Sequence, residues 1–313
     1  MKVLVTGVAG QLGHDVMNEL SKRGIEGVGS DLNEVYSGAM DGSPVTTMPY
    51  VSLDITNEEA VKTVILNEKP DAVIHCAAWT AVDLAEDEDK KELVYRINEE
   101  GTRYIAKYAE EAGAKLMYIS TDYVFDGQGE KPWEADCRDF APLNVYGDSK
   151  LHGEMAVTEN ASRYFIVRIA WVFGVNGKNF IKTMLNVGKT HDKLKVVCDQ
   201  VGTPTYTFDL ARLLVDMILT DKYGFYHATN EGGYISWYDF AVEIFKQAAL
   251  LGHEEYQAER LTVEPVTTAE YGISKAVRPF NSRLDKSKLA ECGFTPLPDW
   301  RDALKRYLQE IEG

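Results

Sequence analysis

Lys2-Val3-Leu4-Val5-Thr6-Gly7-Val8-Ala9-Gly10-Gln11-Leu12-Gly13 is the stretch that decides the fold of this chain. Lys2–Thr6 is short, apolar and rich in β-branched residues, as a buried strand is. A G-x-x-G-x-x-G pattern follows at once and leads into a helix from about Gln11. Glycines at that spacing let backbone N–H groups and a helix N-terminus approach a pyrophosphate closely, so the strand–turn–helix reads as a dinucleotide-binding loop.

Working outward, β-branched runs alternate with segments of helical period, the signature of a parallel sheet flanked by helices. After Lys2–Thr6 the strand candidates are Gly27–Ser30, Val51–Leu53, Ala72–Cys76, Leu116–Ser120 and Phe165–Ile169. Leu93, Ile97, Ile105, Tyr108 and Ala112 fall near one stripe and predict a long crossover helix. Trp300, Leu304, Tyr307, Leu308 and Ile311 predict a terminal amphipathic helix. The alternation decays after about residue 174. The expected fold is therefore α/β, a Rossmann-type doubly wound parallel sheet over residues 1–173. A smaller mixed α/β C-terminal substrate lobe over 174–313 completes it, with some segments returning to the first domain.

Asp31 ends the second strand, 18 residues after Gly13, where an acidic group accepts hydrogen bonds from the adenosine ribose hydroxyls and disfavours a 2′-phosphate. No basic residue lies directly beside it. Asp54 and Ile55 follow the third strand as candidate adenine contacts. Ala77, Ala78, Trp79 and Thr80 follow the fourth, where a cofactor must pass the sheet edge, since ligands of open α/β sheets collect at the carboxyl ends of strands.

Tyr146-Gly147-Asp148-Ser149-Lys150 puts a phenol and an ammonium at i and i+4, on one helix face. A free tyrosine, with a pKa of ~10, is a poor proton donor at neutral pH. A neighbouring ammonium favours its ionised form and lowers that value. Thr121, directly after the fifth strand, supplies a hydroxyl that can hold a carbonyl oxygen. Together with the glycine loop these three residues predict catalysis.

Composition bounds the partners. The 33 Lys and Arg against 49 Asp and Glu leave a net charge of −16, which repels polyphosphate and anionic lipid at long range and argues against nucleic-acid or membrane partners. An anionic ligand must then be held by local donors, in a cleft that reverses the charge of the shell. The four cysteines, Cys76, Cys137, Cys198 and Cys292, show no CxxC spacing and read as buried free thiols in a reducing cytoplasm. No apolar run approaches a membrane span, and no signal-peptide core precedes the first strand, so a cytoplasmic protein is expected.

At this point the residues resemble the extended, nucleotide-sugar-modifying short-chain dehydrogenase/reductases over almost the whole chain. More narrowly, Ser120-Thr121-Asp122-Tyr123-Val124-Phe125-Asp126-Gly127, Pro142–Gly147 with Lys150, Arg168–Val172, Asn179-Phe180, Arg278-Pro279 and Ser282-Arg283-Leu284 resemble the dTDP-4-dehydrorhamnose reductase family. Ala77–Asp83 also fits, although that family often carries His where this chain has Trp79. The resemblance implies reduction of the C4 ketone of dTDP-4-dehydro-β-L-rhamnose to dTDP-β-L-rhamnose, the last step of making that activated sugar, which family members feed into cell-envelope polysaccharide. Tyr146 would protonate the developing alkoxide, Lys150 would tune it and bind the nicotinamide ribose, and Thr121 would orient the carbonyl.

The resemblance also implies that Gly7, Gly10, Gln11 and Leu12 line the pyrophosphate, Asp31 the adenosine ribose, Asp54 and Ile55 the adenine, and Ala77 through Thr80 the middle of the cofactor. Asn98 would support Lys150 through water. Thr121, Asp122, Trp171 and Asn179 map to the substrate, and Arg283 and Lys182 to its diphosphate. The family accepts NADPH, while Asp31 favours NADH or dual use. Some members form a dimer through magnesium held by glutamates. The matching places here carry Asp15, Thr190-His191 and Arg301, so no metal site is expected, and the chain is expected to be a monomer or weak homodimer.

Three rivals share the glycine loop. A 4,6-dehydratase carries Glu where this chain has Tyr123, so the elimination step would lack its base. An epimerase, or another nucleotide-sugar reductase of the extended family, is the nearest alternative. A regulatory subunit of methionine adenosyltransferase resembles the same family and works by binding, which would leave Thr121, Tyr146 and Lys150 without a use.

Overall fold

A computed structural model describes residues 1–312. The elements run β1 (Lys2–Thr6), α1 (Gln11–Lys22), β2 (Glu26–Asp31), β3 (Tyr50–Ser52), α2 (Glu58–Glu68), β4 (Ala72–His75), α3 (Lys91–Tyr95), α4 (Thr102–Glu111), β5 (Lys115–Thr121), α5 (Val145–Asn160) and β6 (Tyr164–Ile169). The second half continues β7 (Val172–Phe173), α6 (Phe180–Gly188), β8 (Lys193–Val197), β9 (Val201–Gly202), β10 (Thr205–Tyr206), α7 (Thr207–Ile218) and β11 (Gly224–His227). It ends with β12 (Ile235–Ser236), α8 (Trp237–Leu250), β13 (Thr262–Val266), α9 (Thr268–Tyr271), α10 (Ser287–Glu291) and α11 (Trp300–Glu312).

Seven parallel strands form one sheet in the order β11-β6-β5-β4-β1-β2-β3. Side chains on a strand alternate between faces, so Val3 and Val5 join the core beneath α1 and α7, while Leu4 joins the core beneath α2, α4 and α5. Both faces are covered, which is why these strands read as apolar runs rather than as alternations. Val3 pairs with Gly27 on one side and Ala72 on the other, so strand order reverses at β1. The crevice beyond the carboxyl ends of β1 and β4 is the switch point where such sheets bind ligands.

Two features differ from the sequence expectation. The crossover helix is not continuous: a π-helical turn, Arg96–Gly101, separates α3 from α4, and such turns recur at functional sites. The cysteines are free but half-buried rather than buried. The chain also crosses back after residue 174, since α7 packs beside α1 and β11 supplies the last strand of the sheet. The remaining second half builds aromatic cores around Phe173, Tyr206, Phe240, Trp300 and Tyr307 and around Phe245 and Tyr256. No described helix is long and apolar enough to cross a membrane.

Candidate active site

The glycine loop is shaped by contacts that forbid side chains. Gly7 has φ +74°, and a Cβ there would lie 2.6 Å from the Ala77 nitrogen. A Cβ on Gly13 would lie 2.3 Å from the Gly7 oxygen. Gly10 is the N-cap of α1 and offers no side-chain cap, so the first-turn amides at Gln11 and Leu12 are left for an anion. That cradle fits a dinucleotide pyrophosphate.

Asp31 closes the loop from β2: its carboxylate accepts from the Ala9 amide at 2.9 Å and the Leu32 amide at 2.8 Å. Asp54 is exposed and ties itself to the Thr56 amide and hydroxyl, while Ile55 is buried against Gly101 of the π turn. Ala77 hangs from the Thr6 hydroxyl at 3.1 Å. Asn98, buried in the π turn, accepts from the Trp79 amide at 2.8 Å and donates to the Trp79 carbonyl and the Ser149 hydroxyl. It therefore clamps the Ala77–Thr80 loop to α5, the helix that carries Lys150.

Thr121, Tyr146 and Lys150 converge where β5 meets the N-terminus of α5, which Asn144 caps by accepting from the Gly147 amide at 2.8 Å. The Thr121 hydroxyl donates to Asp122 at 3.1 Å. Burial pushes the Tyr146 phenol well above its ordinary value, with the Thr121 hydroxyl opposing. Lys150 lies one helical turn after Tyr146 on α5. Its ammonium donates to the Ile119 carbonyl at 2.8 Å and sits 4.0 Å from the Tyr118 ring, because a buried cation must satisfy itself on nearby acceptors. Burial brings Lys150 down to about 7, against upward pulls from Glu154 and Cys76. Asp122 is pushed up to about 6 by burial, and its Oδ2 has no partner among the described residues.

Beside this centre lies a cavity of 620 Å³. Phe180, Met184 and Trp237 give it an apolar part, and three cations, Lys195, Lys275 and Arg278, line it with one carboxylate, Asp83, a local excess of positive charge in an acidic protein. Trp171, with φ +51°, stacks on Trp237 at 3.7 Å and reaches the cavity through that ring. Such a φ is rare for a bulky residue and marks a position that the surroundings over-determine.

Asn179, Arg283 and Lys182 are not among the residues that line this cavity. Asn179 caps α6, and its amide is used up on the Gln11 side chain, the Gly174 carbonyl and the Tyr307 hydroxyl. It locks the glycine loop to the second lobe. Arg283 lies away from the cavity lining, where its guanidinium donates to Asn281 at 3.1 Å. Lys182 donates to the Val175 and Gly177 carbonyls. The cations that line the cavity are Lys195, Lys275 and Arg278. Only Arg278 carried a sequence signal, the Arg278-Pro279 pair.

A family model described as the RmlD substrate binding domain matches residues 1–312. A dTDP-4-dehydrorhamnose reductase of Aggregatibacter actinomycetemcomitans is 37% identical over 97% of each chain. The crystal structure of a dTDP-4-dehydrorhamnose reductase from Clostridium acetobutylicum is 40% identical with a TM-score of 0.87 over the whole of both chains. That from Bacillus anthracis, in complex with NADP, is 38% identical with a TM-score of 0.85 over 99% of each. With the fold, the glycine loop and the Thr121–Tyr146–Lys150 centre in place, this chain belongs to the dTDP-4-dehydrorhamnose reductase family.

Proposed function

We propose that the chain reduces the C4 ketone of dTDP-4-dehydro-β-L-rhamnose to the alcohol of dTDP-β-L-rhamnose in the cytoplasm, at the expense of NAD(P)H. What supports this is a centre of buried Thr121 and Lys150 with half-buried Tyr146, linked to the cavity through Arg278, which lines the cavity and reaches the hydroxyl of Tyr123, the ring beside Tyr146, in a chain 37% identical to a reductase of that name.

The bound nicotinamide supplies a hydride. The chain's own residues do the rest: the amides at Gln11 and Leu12 hold the pyrophosphate as it passes the backbone of Gly7 and Gly10, Asp31 holds the adenosine ribose, and Ala77–Thr80 the middle of the cofactor. Tyr146 gives its proton to the ketone oxygen as negative charge develops there, and Thr121 hydrogen-bonds the same oxygen. Lys150 offers its ammonium to the nicotinamide ribose. A phenol held high by burial gives up its proton reluctantly in the resting protein, which keeps the acid protonated until an alkoxide forms beside it.

The test is incubation with dTDP-4-dehydro-L-rhamnose and reduced cofactor, following cofactor oxidation and product identity. Failure to consume cofactor overturns the proposal. Protein purified with stoichiometric NAD that turns over unaided would point to an epimerase instead.

A further inference from the structure

The segment Tyr271–Phe280 forms one wall of the cavity, and little in its own sequence fixes it there. From Ile273 to Arg278 it has no regular secondary structure, and of its three apolar side chains only the small Ala276 is buried, Ile273 and Val277 being 77% and 59% exposed, so apolar burial contributes little to holding it. What holds it is a carboxylate some 190 positions earlier in the chain. Asp83 Oδ1 accepts from the Ser274 hydroxyl at 2.9 Å and the Ala276 amide at 3.1 Å, and Oδ2 from the Arg278 guanidinium at 2.7 Å. Arg278 Nε donates in turn to Ser274 at 3.0 Å, Lys275 pairs with Asp87 at 2.7 Å, and Asn144, the cap of the catalytic helix, donates to the Val277 carbonyl at 2.8 Å.

Isolated exposed ion pairs contribute little, but one carboxylate collecting three donors within a network is a different case. Asp83 itself lines the cavity, and the guanidinium it holds reaches the Tyr123 hydroxyl at 3.3 Å. The Tyr123 ring stands edge-on to Tyr146 at 5.5 Å. The clasp thus fixes the cavity wall relative to the proton donor.

We propose that Asp83 is a positioning residue for the sugar nucleotide: by clasping Ser274–Arg278 it closes the cavity wall and sets Arg278 beside the catalytic centre. This rests on the reductase reading of the site. Asp83 touches neither the cofactor cradle nor the Thr121–Tyr146 pair, so its loss separates binding from chemistry.

In Asp83→Ala, KM for the sugar nucleotide should rise at least tenfold, with kcat within threefold and the Kd for NADPH unchanged. Asp83→Asn keeps an acceptor for Ser274 and Ala276 and should recover part of the loss. Trypsin should cut after Lys275 at least tenfold faster in Asp83→Ala than in the parent. An unchanged KM overturns the positioning role, and an unchanged cleavage rate overturns the clasp. If the parent protein reduces no sugar nucleotide, the reductase reading falls, and the cleavage rate together with the Kd for dTDP judges the clasp alone.

Discussion

The glycine loop and the Tyr271–Phe280 wall are both irregular backbone beside the active centre, yet they are fixed by opposite means. Gly7–Gly13 is seven consecutive residues held by steric fit, with backbone atoms so close that a Cβ at two of its positions would collide. The wall is open to solvent and held by polar contacts from Asp83, Asp87 and Asn144. A cofactor common to many enzymes can be held by a rigid, local device. The cavity is built from parts brought together only by the fold.

The two regions meet at Tyr146, and replacing it should have the largest effect. Tyr146→Phe should lower kcat by about 10³-fold, the usual size of a general-acid contribution, because the ring and its Tyr123 contact remain but the proton is gone. Cofactor Kd, from fluorescence titration, should stay within twofold. A rate near that of the parent would remove Tyr146 from the chemistry.

The contrast itself predicts unequal tolerance. Gly13→Ala forces a Cβ against the Gly7 backbone and should destabilise by about 3 kcal/mol while weakening cofactor binding. Ile273→Ser, at a 77% exposed position in the wall, should change stability by no more than about 0.5 kcal/mol. Thermal melts of the two variants side by side check this. Equal losses would mean that the wall is packed as tightly as the loop.

The same division explains what was legible beforehand. The sheet strands could be read because each is a contiguous β-branched run buried on both faces, and the glycine loop because its spacing is local. Thr121, Tyr146 and Lys150 were found by spacing and by their place after β5 and on α5. The π turn was invisible, since Leu93–Ala112 keeps an apolar stripe whether or not a residue is inserted. The partners of Asn179 and Arg283 were not legible, because motif membership does not say which way a side chain turns. The amide of Asn179 is consumed by Gln11, Gly174 and Tyr307, three groups from distant parts of the chain. Asp83 carried no local signal because its partners, Ser274, Ala276 and Arg278, are brought to it by the fold alone.

Asp122 gives a smaller effect that titrates. Its carboxyl moves from an ordinary value near 3.8 up to about 6 because burial penalises the charged form and Oδ2 lacks a donor. A raised carboxyl contributes stability that is complete below the ordinary value and lost as pH rises through about 6. Between about pH 4 and pH 6 the parent should lose on the order of 2 kcal/mol from this group. Asp122→Asn should flatten that slope in urea melts taken across the range. An unaltered slope would show that Asp122 is solvated or paired in solution.

The smallest predicted difference concerns the far end of the cofactor. Between Arg23 and Lys62 the chain has no Lys or Arg, so the region around Asp31 offers no cation to a 2′-phosphate, and Asp31 itself is a carboxylate. That carboxylate is pinned by the Ala9 and Leu32 amides, which offset part of its charge and orient it toward the glycine loop. A ribose hydroxyl can still donate to it, and a phosphate gains nothing there. NADH should therefore serve at least as well as NADPH, with kcat/KM values within about tenfold of each other, or ~1.4 kcal/mol. Parallel kinetics with the two cofactors measure the ratio. A hundredfold preference for NADPH would mean that the Asp31 region rearranges on binding, and the loop that steric fit makes rigid would then end where rigidity stops.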